Sequence, residues 1–262
     1  MTAAVPDEAA REPSSAGWAL IVPVKPAAVG KSRLVVPGVA REELARAIAL
    51  DTLSAAAASR VAELVIVTDD EGVRAAAEVL GRVPDDAGAD DAGEGRWTAE
   101  RATDDAGAPA ARVTLVSDPG HGLNAAIAAG LAAAGAQMRA VMLGDLPALR
   151  PADLDAALER AEEDRTAVAG ASEGDAIAAE TDDTRTALAV ADADGTGTTL
   201  LAHAHPDLLC FGTDSYARHL AAGALPLDVP ASSTLRRDVD TAAHLDAARA
   251  LGVGPRTSAL LD

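Results

Sequence analysis

The chain has 262 residues, enough for one large domain or two small ones, and 49% of them are apolar, so a sizeable core can form with only four aromatic rings. Its formal charge of −19 excludes a broad nucleic-acid or anionic-membrane surface, so an anionic ligand needs a local basic patch or a metal. The single cysteine, Cys210, excludes an internal disulfide framework and fits a reduced cytoplasmic setting, and no apolar run reaches membrane-spanning length.

The opening "MTAAVPDEAAREPSSAG" lacks the positive charge and apolar stretch of a signal peptide, and residues 1–16 read as a disordered tail. Order begins at "WALIVPV", 18–24, a continuous apolar run that suits a strand buried on both faces. A helix is expected over 41–59, a second buried strand at 62–68, and a second helix at 69–81 with acids in its first turn. A third strand follows at 112–118, a helix at 122–136 and a fourth strand at 139–145. Strands alternating with helices imply an α/β fold with a parallel sheet covered on both sides, and ligands on such sheets sit at the carboxyl ends of the strands.

Two segments break the rhythm. Residues 85–108 and 161–185 each carry eight acids against two arginines, so together they hold −12 of the −19 charge. They read as solvated surface insertions, with Trp97 able to pin the first to the body. Beyond them, "TALAVAD" reads as a strand, "DGTGTTLL" as a Gly/Thr turn entering a helix or strand, and "GTDSYARHLAAG" as a capped helix. A polar turn then leads into a last helix, with Asp240 or Thr241 as its N-cap.

The loop "PVKPAAVGKSRL" contains GKS but is no P-loop. The pattern G-x-x-x-x-G-K-S/T needs glycine at position 25, which is Lys25, and Pro23 and Pro26 remove backbone donors that a phosphate cradle uses. Lys25, Lys31 and Arg33 still follow the first buried strand, where three cations can clamp a triphosphate. In "VMLGDLPAL", Asp145 follows a strand end, a position suited to magnesium between phosphates. In "RRDVDT", Asp238 and Asp240 lie two apart, so in an extended segment both carboxylates face one way and repel unless a cation or Arg236/Arg237 sits between them; with Asp145 they could complete a magnesium site. "DGTGTTL" and "FGTDSYARH" offer glycines for close approach and hydroxyls for phosphate or carboxylate, with Gly212 and Ser215 near a helix start. "DPGHGLN" brings Asn124 to another helix start. His203 and His205 have no third ligand nearby, which argues against zinc, and the apolar "LLCFG" argues against Cys210 as a nucleophile.

Taken in order, "VPVKPAAVGKSRL", "DPGHGLNAAI", "GDLPAL", "ADADGTGTTLL", "FGTDSYARH" and "RRDVDTAAHLDAARALG" resemble the guanylyltransferase family of deazaflavin coenzyme F-420 biosynthesis. The resemblance covers about residues 18–258 apart from the acidic segments. It implies a single GT-A-like, Rossmann-like nucleotidyltransferase domain over 17–262, with a mostly parallel sheet flanked by helices. It implies transfer of GMP from GTP to phosphoenolpyruvate with release of pyrophosphate, in the cytoplasm. It assigns phosphoenolpyruvate to Thr198, Gly212 and Ser215, with Thr198 chosen over Thr196 by matching the GTGT run. It assigns Mg2+ to Asp145 and Asp238 with Asp240 as a further candidate, and the nucleotide to Lys25, Lys31, Arg33 and Asn124. Asp145, Asp238 and Lys31 are the expected catalytic set. Phosphoenolpyruvate is not separated here from 2-phospho-L-lactate or 3-phosphoglycerate, nor GTP from other nucleotides, and a homo-oligomer stays open. A molybdopterin-type nucleotidyltransferase is the nearest rival, against which the Lys-Pro loop with its single Gly30 speaks. A catalytically inactive nucleotide-binding scaffold is the alternative from another class.

Overall fold

The run WALIVP forms strand β1 (Trp18–Pro23) and ELVIV forms β2 (Glu63–Val67), and every residue of both is buried. Strands this apolar have no face for solvent, so each needs cover on two sides. In this computed structural model, which describes residues 17–28, 31, 33–80, 111–172 and 186–262, they receive it. The tail 1–16, Gly30, the acidic segment 85–108 with Trp97, and residues 173–185 lie outside the described residues.

β1 pairs in parallel with β2 and with β4 (Met138–Met142), and β2 pairs in parallel with β3 (Arg112–Val116). β6 (Thr198–Ala202) then runs antiparallel to β4 and to β5 (Leu188–Ala191), and the short β7 (Leu225–Pro226) is parallel to β5. The order is β3-β2-β1-β4-β6-β5-β7, mostly parallel, as the sequence implies.

Because successive strand residues face opposite ways, each strand feeds two cores. Leu20, Val22, Leu64 and Ile66 pack with Leu53 of helix α1 (Arg41–Ala57) and with Leu154 and Leu158 of α4 (Pro151–Ser172). Ala19, Ile21, Val65 and Val67 pack with Ile127 and Leu131 of α3 (Leu123–Ala133). Helix α2 (Glu71–Leu80) adds Val73 and Ala77 to the first core. A third cluster joins Leu34, Leu44 and Ile48 to Val239 and to Leu245 of α6 (Ala242–Leu251). Two further helices complete the chain, α5 (Ser215–Ala221) and α7 (Pro255–Leu261).

The structure corrects the second acidic segment. Residues 161–172 continue α4 and are not a loop. Leu154, Ala157, Leu158 and Ala161 are buried at helical spacing, while the acids occupy the other face, so the charge density masked an amphipathic helix.

Several buried acids are structural. Glu63 pairs with Arg112 at 2.9 Å and accepts from Thr114 and the Gly135 amide. Asp51 of α1 accepts from the Arg256 and Thr257 amides and so caps α7 from across the fold.

Candidate active site

A cleft of about 550 Å3 opens at the carboxyl ends of β1, β4 and β5 and the amino end of β6. The antiparallel direction of β6 is what brings its entry turn to the same edge as the strand ends. Lys25, Lys31, Arg33, Asp145, Asp238, Asp240, Gly212 and Ser215 all line this cleft.

β4 ends at Met142, and Leu143 through Asp145 turn away over β1. A Cβ on Gly144 would lie 3.0 Å from Val24 Cγ2 and 3.2 Å from the Pro23 carbonyl oxygen, so glycine lets the two loops meet there. The Val239 amide donates to the Asp145 carbonyl at 3.1 Å, which ties the Asp238–Asp240 segment to the end of β4. Val239 is buried while its two neighbours line the cleft, as extended backbone requires. Farther along, Asp240 is not the N-cap of α6; Thr241 is, accepting from the His244 amide at 3.2 Å.

Asp70 shapes the basic loop from beneath. It accepts from the Ala27 amide in that loop, from the Val73 amide of α2 and from Arg46, each at 3.0 Å. Burial raises its pKa, but Arg46 and the two amides outweigh this and bring it down to about 2.

Lys31 does not stand free opposite the acids. Its ammonium donates to Asp145 Oδ2 at 2.5 Å and to Asp240 Oδ1 at 3.0 Å. Burial depresses the lysine, yet the two carboxylates prevail and its pKa is raised overall. Asp238 lacks such a partner. Burial, then Asp145, Asp192 and Asp240, push its carboxyl up to about 7 against the pull of Lys31. Burial also raises Asp240, but Lys31, His244 and Arg33 lower it on balance. Asp145 Oδ1 is buried with no hydrogen-bond partner among the described residues. An anionic cluster with an orphan carboxylate oxygen is short of positive charge.

The opposite wall is built from two loops. Asp192, which the sequence reading missed, accepts from the Thr196 amide at 2.9 Å and the Gly197 amide at 2.6 Å, folding the "DADGTG" turn. The signal was an Asp four residues before Thr-Gly, an Asx-type turn. Arg236 secures the same turn by donating to the Ala191 and Asp192 carbonyls. Thr196 and Gly197 face the cleft, with Phe211, Thr213 and Asp214 from the second loop.

Two expected residues are placed otherwise. The Thr198 side chain is fully buried and bonded to His219 at 2.9 Å; it does not line the cleft. Asn124 spends its amide on the Phe211 backbone, accepting from the Phe211 amide at 3.0 Å and donating to its carbonyl at 3.2 Å. The helix after "FGTD" is also not capped by a side chain, because Asp214 sits at φ 52° and its carboxylate makes no capping bond. Cys210 is a half-buried free thiol.

No protein-family model matches the chain. It is 40% identical to a phosphoenolpyruvate guanylyltransferase of Thermomonospora curvata, over 93% of this chain and 88% of that protein. It is also 40% identical to one of Streptomyces coelicolor, over 93% and 95%. The chain belongs to the phosphoenolpyruvate guanylyltransferase family. A solved nucleotidyl transferase from Methanothermobacter covers 90% of the chain at 18% identity and a TM-score of 0.45. Among the described residues no helix is long and apolar enough to cross a membrane.

Proposed function

We propose that the chain transfers GMP from GTP to phosphoenolpyruvate, releasing pyrophosphate, as a cytoplasmic step of deazaflavin coenzyme F-420 biosynthesis. The observation that carries this reading is the unpaired buried Oδ1 of Asp145 among Asp192, Asp238 and Asp240, facing a basic loop across one cleft. Family membership supports the reaction class and the names of both substrates.

A phosphate oxygen of the acceptor attacks the α-phosphorus of GTP. The new P–O bond forms as the bond to the β-phosphate breaks, and pyrophosphate leaves with that electron pair. The acceptor is already an anion, so no strong general base is required. The obstacles are repulsion between anions and alignment. Lys25, Lys31 and Arg33 meet the leaving phosphates. Ser215 and the backbone of the 212–214 loop hold the acceptor against the far wall, which the 196–197 turn shapes with its amides committed to Asp192.

Among the described residues, no three acidic or imidazole groups converge to hold a metal by themselves. The orphan Oδ1 of Asp145 and the crowded Asp238 nonetheless fit a divalent cation that takes its other ligands from phosphates, the usual habit of Mg2+. Bound there, with Asp240 beside it, Mg2+ would neutralise both substrates' phosphates. Lys31, bonded to Asp145 and Asp240, would be free to turn one of its donors to a phosphate oxygen. Thr198 and Asn124 act in this reading through the loops they brace.

The test is pyrophosphate release from GTP and phosphoenolpyruvate with Mg2+, with the product identified by mass spectrometry. Parallel reactions use 2-phospho-L-lactate, 3-phosphoglycerate and other nucleoside triphosphates. Asp145→Asn and Asp238→Asn should each lower turnover roughly 100-fold or more. Near-normal turnover in both would sink the metal assignment, and no diphosphate product from any pairing would sink the reaction.

A further inference from the structure

His219 lies in α5, fully buried, and does not itself line the cleft. Its two ring nitrogens reach two different loops. Nε2 accepts from the Cys210 amide at 3.1 Å. That leaves the ring proton on Nδ1, which donates to Thr198 Oγ1 at 2.9 Å and is also held by the Ser215 carbonyl. The ring edge meets Phe211 with centroids 4.7 Å apart. Burial, then Arg218, push its pKa down to about 4, so the neutral tautomer with both nitrogens committed persists at neutral pH.

The two loops that His219 joins are the two that form the far wall. Thr196 and Gly197 precede Thr198, and Phe211 through Ser215 follow Cys210. Other bonds run across the same seam: the Thr198 amide donates to Ser215 Oγ at 2.8 Å and the Tyr216 amide to the Thr196 carbonyl at 3.1 Å. Gly212 sits at φ 125° and Asp214 at φ 52°, conformations that a loop holds only when its surroundings fix them. The basic loop and Asp145, Asp238 and Asp240 hang from other elements, namely β1, β4 and the 236–240 segment, and the hydrogen bonds of the imidazole to Thr198 and Cys210 reach none of them.

We propose that His219 is a positioning residue for the phosphorylated acid: its neutral imidazole pins the 196–198 turn to the 210–215 loop and so presets the wall that receives that substrate. The inference rests on the guanylyltransferase reading of the cleft. Removing the ring leaves the part-buried Cys210 amide and the buried Thr198 hydroxyl without their partner and lets the two loops separate, so the loss falls on one substrate. A residue that merely filled the core would weaken both substrates or neither.

Three variants separate these roles. His219→Leu removes both bonds. His219→Gln keeps an acceptor where Nε2 was, and His219→Asn keeps a donor where Nδ1 was. In two-substrate steady-state kinetics, His219→Leu should raise KM for phosphoenolpyruvate roughly 10- to 100-fold, the equivalent of losing one or two buried hydrogen bonds. KM for GTP should stay within about twofold and kcat within about threefold, by the same reasoning. His219→Gln and His219→Asn should each recover part of the KM, and they carry the test if the leucine variant does not fold. Equal rises in both KM values, or a fall in kcat alone, would overturn the inference while leaving the reaction standing. Wild-type protein that makes no product from GTP and phosphoenolpyruvate would overturn the reaction, and the inference with it.

Discussion

Replacing Asp238 by Asn should stabilise the metal-free protein at alkaline pH while abolishing most of its activity. The cause is the raised carboxyl. An ordinary Asp titrates near 3.8, whereas burial and the three neighbouring carboxylates move Asp238 to about 7. A group raised in this way supports the fold while it is protonated, and that support is lost as pH rises from about 4 through about 7. Each pKa unit is worth about 1.4 kcal/mol, so this shift corresponds to on the order of 4 kcal/mol at pH 8, which solvent screening of a half-buried group reduces to about 2–3 kcal/mol. Asparagine keeps the shape and removes the charge, recovering about 2–3 kcal/mol, or roughly 5–10 °C in Tm for a chain of this size. The assay is thermal unfolding in excess chelator across pH 5 to 8, with the two proteins side by side. The gap between them should be smallest at pH 5 and widen as pH rises through about 7, because the wild type begins to lose this support near pH 4. Mg2+ with GTP should stabilise the wild type more than the variant. A gap that fails to grow with pH, or a variant less stable than wild type at pH 8, would refute the claim that this carboxylate is kept at the fold's expense.

Asp70 should behave in the opposite sense, because its pKa is lowered to about 2 and its support exists above about 4 and fades as pH falls through about 2. Asp70→Ala should cost about 2–4 kcal/mol at neutral pH in denaturant titrations, and should raise KM for GTP because the Ala27 amide loses its anchor. Gly144→Ala should destabilise by about 1–3 kcal/mol and slow turnover, since its methyl meets Val24 and the Pro23 carbonyl; differential scanning calorimetry and pyrophosphate release read the two effects. A Gly144→Ala protein with unchanged Tm and turnover would show that the two loops have room to part.

The strands were legible because their chemistry is local. WALIVP and ELVIV carry no polar residue that a solvent-facing strand would need, apart from Glu63, and the punctuation between them marks the helices. What escaped was whatever depended on a distant partner. The direction of β6 is set by its pairing with β4 and β5, and nothing in "TTLLA" encodes it. Helix α4 was hidden because its buried stripe of Leu154, Ala157, Leu158 and Ala161 runs into the acidic stretch that follows it. Thr198 matched a motif position, yet its hydroxyl turns inward to His219, 21 residues on, and Asn124 turns to Phe211, 87 residues on.

The acids make the same point more sharply, since counting them says little and their partners say much. Glu63, Asp51, Asp70 and Asp153 are as charged as Asp145 and Asp238. Each of the first four is answered from within the fold: Glu63 and Asp70 by an arginine and backbone amides, Asp51 by two amides of α7, and Asp153 by the Thr234 amide and hydroxyl. Asp192 faces the cleft but is already committed to the turn it folds. Asp145 keeps one oxygen unanswered among the described residues, and burial, then the acids around it, push the Asp238 carboxyl up to about 7. A buried polar group without a partner costs the fold on the order of 1–3 kcal/mol, and sequences shed such costs unless a ligand supplies the missing partner. In a chain of net charge −19, unmet carboxylates therefore mark where the proposed cation would bind more sharply than charge density does. The lysine now lodged between Asp145 and Asp240 fits the same logic, filling with one charge a site whose carboxylates call for two.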